Sequence, residues 1–168
     1  FPESGESNDY FDTEIKPYLD NPLIGEPGMV GGNDKQLLYK QARALLFPIE
    51  WEEPFGIVMV EAMASGTPVI AYNRGSVAEM VKDGVTGFII DQDDTDRPGK
   101  GSWKIKKKGV EGLIEAVKRI DEIDRNAVRA HVEQNFTVEQ MVAGHEKVYE
   151  KVLQDKREIV FEGSSKHS

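Results

Sequence analysis

Hydrophobic positions in this chain fall into short continuous runs and helical stretches separated by polar turns. Ala44-Leu45-Leu46-Phe47-Pro48-Ile49 is an apolar run of strand length, read as a strand buried on both faces as parallel strands are, with Pro48 at its exposed carboxyl end. Residues 57–65 (IVMVEAMAS) are apolar at almost every position and predict a helix stopped by Gly66. Pro68-Val69-Ile70-Ala71-Tyr72 follows as a second strand. Strand, helix and strand over about 30 residues make a βαβ unit, whose crossover is expected to be right-handed. A short helix near residues 77–82 then leads through the turn Asp83-Gly84 to a third strand, Gly87-Phe88-Ile89-Ile90.

Helices are predicted over residues 110–120 and 125–133, and from Val138 to about Gln154. Thr137-Val138-Glu139-Gln140 introduces the last with a capping-box pattern. Upstream, Tyr10, Phe11, Ile15, Tyr18 and Leu19 are spaced for a short amphipathic helix, and Asn33 or Asp34 is placed to cap a helix carrying Leu37, Leu38 and Ala42 on one face. Residues 1–9 carry no period, and the terminal GSSKHS is expected to fray. Residues 91–109 are polar and too long for an ordinary connection, so a mobile insertion is expected over 92–109. The alternation implies an α/β fold, a Rossmann-like parallel sheet with helices on both faces, in a domain over residues 1–150 with a tail over 151–168.

Composition narrows the function. No apolar run approaches the roughly 20 residues needed to span a bilayer. The formal charge of −9 argues against a nucleic-acid backbone as partner, because that binding rests on clustered Lys and Arg. The chain has no cysteine, which removes disulfides, thiolate metal sites and cysteine nucleophiles and suits a reducing, cytoplasmic location.

The segment with the most chemistry is Glu53-Pro54-Phe55-Gly56-Ile57-Val58-Met59-Val60-Glu61-Ala62. Glu61 is a carboxylate in a helix expected to be buried all round, where an unpaired charge is very costly. Helical side chains tilt toward the helix start, so Glu61 reaches back toward Glu53 and Gly56, and both carboxylates should border one crevice. The helix start offers amides near Gly56, Ile57 and Val58 to a phosphate, at the carboxyl end of a parallel strand where open α/β sheets bind ligands. An anion site flanked by two hydroxyl acceptors suits a nucleotide sugar. The residues alone leave a second reading open, in which Glu61 bonds a neighbouring donor and Glu53 is a solvated loop residue.

From Ala44 to Asp91 the chain resembles the donor-binding core of the family-four retaining glycosyltransferases of the GT-B architecture, which include sucrose synthases and many hexosyltransferases. The resemblance rests on EPFG, the two glutamates with seven residues between them, the helix-to-strand turn EAMASGTPVIA, and DGVTGF, with a looser likeness from Phe136 to Tyr149. It implies that Glu61 accepts hydrogen bonds from the ribose, that Glu53 contacts the transferred sugar in the catalytic role, and that the backbone of Phe55, Gly56 and Ile57 lies near phosphate and sugar. By the same resemblance the nucleobase meets the backbone near Met29 and Val30, although the loop EPGMVGGN departs from the family's shorter spacing. Many relatives have two glycines where this chain has Arg74-Gly75, which places Arg74 at the cleft rim.

The implied reaction moves a hexose from a nucleotide-diphosphate donor to an acceptor hydroxyl with retention, with no cofactor and no obligatory metal ion. The family's upstream strand, basic diphosphate ligands and N-terminal acceptor-binding domain are not found in residues 1–34, so this chain is expected to be the donor-binding part of a longer enzyme, without transfer activity alone. Two other readings stand beside it: a non-catalytic nucleotide-sugar-binding module, and a sugar-nucleotide epimerase of the same architecture, which the paired glutamates disfavour.

Weaker signals have plainer explanations. Trp103-Lys104-Ile105-Lys106-Lys107-Lys108 allows contact with an anionic membrane or a phosphate-bearing acceptor, but a solvated loop is the preferred reading. A calcium loop starting at Asp91 would put Asp96 where glycine is needed and Ser102 where glutamate is needed. Gly28, Gly31 and Gly32 do not form a dinucleotide fingerprint. Asn135-Phe136-Thr137 matches a glycosylation pattern but is better explained by Thr137 as a cap. His131, His145 and His167 are scattered, and surface positions are expected for them.

Overall fold

The computed structural model of the chain describes residues 9–164. The first eight residues and the last four of GSSKHS lie outside the described residues. The chain divides into two compact units, Phe1–Lys35 and Gln36–Ser168. In the first, a π-helical turn over Phe11–Ile15 is followed by helix α1 (Lys16–Leu19). One regular helix is expected over this stretch. Pro17 lacks the amide that would continue the ladder and instead sits in the first turn of α1, where a missing donor is tolerated. Helix α2 (Gly32–Gln41) runs from the first unit into the second. Asn33 and Asp34 therefore stand inside its first turn, not ahead of it, and Leu37 and Leu38 remain exposed.

The second unit is built on three parallel strands, β1 (Leu45–Phe47), β2 (Val69–Tyr72) and β3 (Gly87–Ile90), in the order β1-β2-β3. Leu45 stands opposite Val69, and Val69 opposite Gly87. Helix α3 (Ile57–Ala64) lies in the first crossover and the short α4 (Val77–Met80) in the second. After β3 come a long connection, α5 (Gly109–Arg119), a 3₁₀ turn over Ile120–Glu122, α6 (Arg125–Asn135) and α7 (Val138–Ser164). Helix α3 packs on β1, β2 and α6, whereas α5 packs on β2 and β3. Every residue of β2 and β3 is buried, so both faces of the central sheet are covered.

Ile70, Phe88, Ile89 and Ile90 are fully enclosed with Met59 and Met63 of α3. Each such side chain contributes about 1.5–3 kcal/mol relative to exposure, so the unit is held at β2 and β3. Strand β1 departs from the expectation of burial on both faces. It has β2 as its one described neighbour, and Leu46 is 52% exposed while Phe47 is buried. Helix α3 is likewise not buried all round: Met59, Ala62 and Met63 form an inner face at helical spacing, while Ile57 and Val58 face outward.

The helix ends follow their caps. Asp124 accepts from the Asn126 amide at 2.9 Å, and Thr137 accepts from the Gln140 amide at 3.3 Å. Helix α7 continues ten residues past the expected end at Gln154, to Ser164. His131 is not at the surface: half-buried, its Nε2 lies 3.2 Å from the Met80 carbonyl oxygen and its ring meets Phe136 edge-on.

Candidate functional site

The site is assembled where the loop after β1 meets the start of α3. Gly56 is the residue before α3 and takes a left-handed conformation with φ 73°, which a side chain would strain. Its carbonyl accepts from the Met59 amide at 2.9 Å and so starts the helix. Glu53 closes the same loop. One carboxylate oxygen accepts from the Gly56 amide at 3.1 Å, and the other accepts from Trp51 Nε1 at 3.2 Å. Of the three amides expected to be open to phosphate, that of Gly56 is therefore engaged by Glu53. Those of Ile57 and Val58 open the helix and have no intrahelical acceptor.

A cavity of about 420 Å³ is lined by Phe47, Ile49 and the run Glu53–Val58, which places Glu53, Phe55, Gly56 and Ile57 together. Glu61 is one turn further along α3 and half-buried, on the wall of a second cavity of about 750 Å³ between α3 and the α6–α7 corner. The two cavities share Phe55 and Ile57, so the glutamates flank the helix start from adjoining hollows. Because α3 is exposed on one side, Glu61 escapes the full desolvation expected for it. It accepts from the Tyr39 hydroxyl at 3.4 Å.

Tyr39 is held in turn by a clamp that the sequence reading missed. Arg125, at the start of α6, donates to the carbonyls of Ala42 and Lys40 at 2.7 and 2.9 Å and to the buried Thr67 hydroxyl at 2.9 Å. The Thr67 hydroxyl donates to the Tyr39 carbonyl. No local spacing signals these contacts, because they join residues more than 25 positions apart. Met29 and Val30 belong to the first unit, where Met29 is fully exposed and Val30 more than a third exposed.

A turn after β2 backs the glutamate loop. The Ser76 amide donates to the Glu53 carbonyl and the Ser76 hydroxyl to the Phe55 carbonyl, both at 2.9 Å. Glu52 accepts from the Gly75 amide at 2.5 Å and from Arg74 Nη1 at 3.2 Å, and these donors, Gly75 first, hold its carboxyl below the usual range. Arg74 is thus engaged by protein partners where the sequence placed it at a cleft rim.

Residues 4–100 match Glycosyl transferases group 1. The chain belongs to this family. Among its glycosyltransferase relatives, the putative glycosyltransferase YtcC of Bacillus subtilis (strain 168) is 31% identical over 147 residues, covering 88% of this chain and 34% of that protein. The N-acetyl-alpha-D-glucosaminyl L-malate synthase of Bacillus anthracis is 30% identical over 114 residues, covering 66% of this chain and 27% of that protein. Sucrose-phosphate synthase from Thermosynechococcus elongatus superposes with a TM-score of 0.63 over 90% of this chain and 35% of its own, at 23% identity, a likeness of fold. The three-stranded parallel sheet and its helices thus match part of a GT-B glycosyltransferase fold, and the chain spans 27–35% of the length of these relatives.

Among the described residues no helix is long and apolar enough to cross a membrane. The lysine run is engaged locally: Lys106 donates to the Gly101 carbonyl at 2.9 Å, Lys107 lies 3.7 Å from Glu115, and Lys108 pairs with Asp94.

Proposed function

We propose that this chain forms the donor-binding part of a retaining hexosyltransferase, with a nucleotide-diphosphate sugar lying across the start of α3. Glu61 accepts hydrogen bonds from the ribose, Glu53 contacts the transferred hexose, and the backbone of Phe55, Gly56 and Ile57 meets the diphosphate and sugar. The acceptor molecule is held by an N-terminal domain of the parent protein, and its hydroxyl attacks the anomeric carbon on the face from which the nucleotide diphosphate leaves. Fixed protein donors stabilise the charge developing on that diphosphate, without a resident metal ion or cofactor. The absence of cysteine supports a cytoplasmic setting.

The observation that carries this reading is the Glu53 carboxylate held on the Gly56 amide at the start of α3, with Glu61 one hollow away. In that position Glu53 occupies an amide that an incoming diphosphate would use. Binding then exchanges one acceptor for another: the phosphate takes the amide and Glu53 turns to the sugar hydroxyls.

The two glutamates are separated by titrating wild type, Glu53→Ala and Glu61→Ala with a nucleotide diphosphate and with its hexose conjugate. Glu61→Ala removes charged hydrogen bonds worth about 1.5–3 kcal/mol each and should weaken both ligands roughly ten- to a hundredfold. Glu53→Ala should not weaken the free diphosphate, because it frees the Gly56 amide, and should abolish the extra affinity given by the hexose. Thermal melts accompany both titrations, because loss of Glu61 could loosen α3. Equal weakening of both ligands by both folded variants would sink the division of roles.

A further inference from the structure

We infer that Arg74 is a positioning residue, which fastens the 91–109 segment to the glutamate loop and so fixes where Glu53 stands. This rests on the role proposed above for Glu53. Arg74 follows β2, and its side chain is only 18% exposed. Its Nε and Nη2 donate to Gln92 Oε1 at 2.9 and 2.5 Å, and Nη2 lies 3.8 Å from Asp93 Oδ2. Its remaining arm, Nη1, reaches Glu52. The planar fork of the guanidinium thus joins two segments 40 positions apart, a geometry that a lysine cannot reproduce.

On the glutamate side the connection is rigid. Gly75 has φ 49°, and a Cβ there would stand 2.3 Å from the Glu53 carbonyl oxygen and 2.5 Å from its amide nitrogen. The turn over residues 74–76 therefore lies directly on the Glu53 backbone, and Ser76 bonds the carbonyls of Glu53 and Phe55.

On the other side, the 91–109 segment is itself anchored. The buried Asp91 carboxylate accepts from the Gly101 amide at 2.7 Å and from Trp103 Nε1 at 3.1 Å, and Asp83 accepts from the Lys104 amide at 2.6 Å. Asn73, next to Arg74, donates to the Pro98 carbonyl at 3.0 Å. A displacement of Gln92 is thereby passed through Arg74 to Glu52 and the Gly75 turn, and from there to Glu53. The cation also faces Glu52 and Asp93, which a diphosphate would have to displace before Arg74 could act as its ligand.

The test uses amide hydrogen exchange on the 168-residue chain and needs no ligand. Gln92→Leu removes the acceptor on the segment and leaves Arg74 in place, whereas Arg74→Met removes the fork and keeps the apolar stem. Each should speed exchange at the Gly56, Gly75 and Ser76 amides about tenfold, the double variant should add little more, and the amides of β2 and β3 should not change. Faster exchange confined to residues 92–100 would overturn the proposal.

A second arm titrates UDP, GDP and ADP and their glucose conjugates. Arg74→Met should shrink the hexose increment about tenfold and leave the free diphosphate affinity within about twofold. Equal loss for both ligands would make Arg74 a phosphate ligand and refute the positioning role. If Glu53→Ala leaves the hexose increment intact, the role given to Glu53 fails, and the exchange result still judges Arg74.

Discussion

Glu52 and Glu53 are adjacent, chemically identical residues with different tasks. The first is spent on Gly75 and Arg74, while the second holds the Gly56 amide beside a cavity. Sequence spacing singled out Glu53 because seven residues separate it from Glu61. It was silent on Glu52, whose partners arrive from residues 74 and 75. The same arrangement recurs at Asp93, which the hydroxyl and amide of Thr95, and then Arg97, hold down from 3.8 to about 2. A carboxyl with a lowered folded value adds stability above its ordinary value, and that contribution is lost as pH falls through the folded one. The Asp93 contribution is therefore complete above about pH 4 and disappears toward pH 2. A carboxyl titration followed by NMR should give Asp93 a midpoint near 2, and Thr95→Ala should move that midpoint up toward 3.8. A wild-type midpoint in the ordinary range would contradict the bonding described for this residue.

At the scale of elements, the apolar runs ending at Tyr72 and Ile90 were legible because each is bounded by turn residues and buried on both faces. Strand β1 and helix α3 were legible as elements but not in their exposure. An apolar run shows that a segment can be buried, whereas Leu46 and Ile57 depend on what lies beside them, which periodicity does not encode. The 91–109 connection was legible as long and polar. Its anchors were not, since Asp83, Asp91 and Ile105 act across separations of up to 21 positions. Despite these anchors the connection should be the first part of the second unit to be cut: limited proteolysis is expected to act within residues 92–108 before it acts on the strands. A first cut within residues 44–90 would contradict both the anchoring and the domain described.

For the whole molecule, a charge of −9, a three-stranded parallel sheet and membership of Glycosyl transferases group 1 support the proposal that a small-molecule donor binds at the carboxyl ends of the strands. The chain spans about a third of YtcC and of sucrose-phosphate synthase, so binding of the donor can be tested on it separately from transfer. The most direct measurement is an amide NMR titration of the chain with UDP-, GDP- and ADP-hexoses. One nucleotide series should bind, with the largest saturable shifts at Phe55, Gly56 and Ile57 and a second group around Glu61 and Tyr39. Saturable shifts that spare residues 53–61, or no binding by any of the three series to a folded chain, would contradict the placement of the donor across the start of α3.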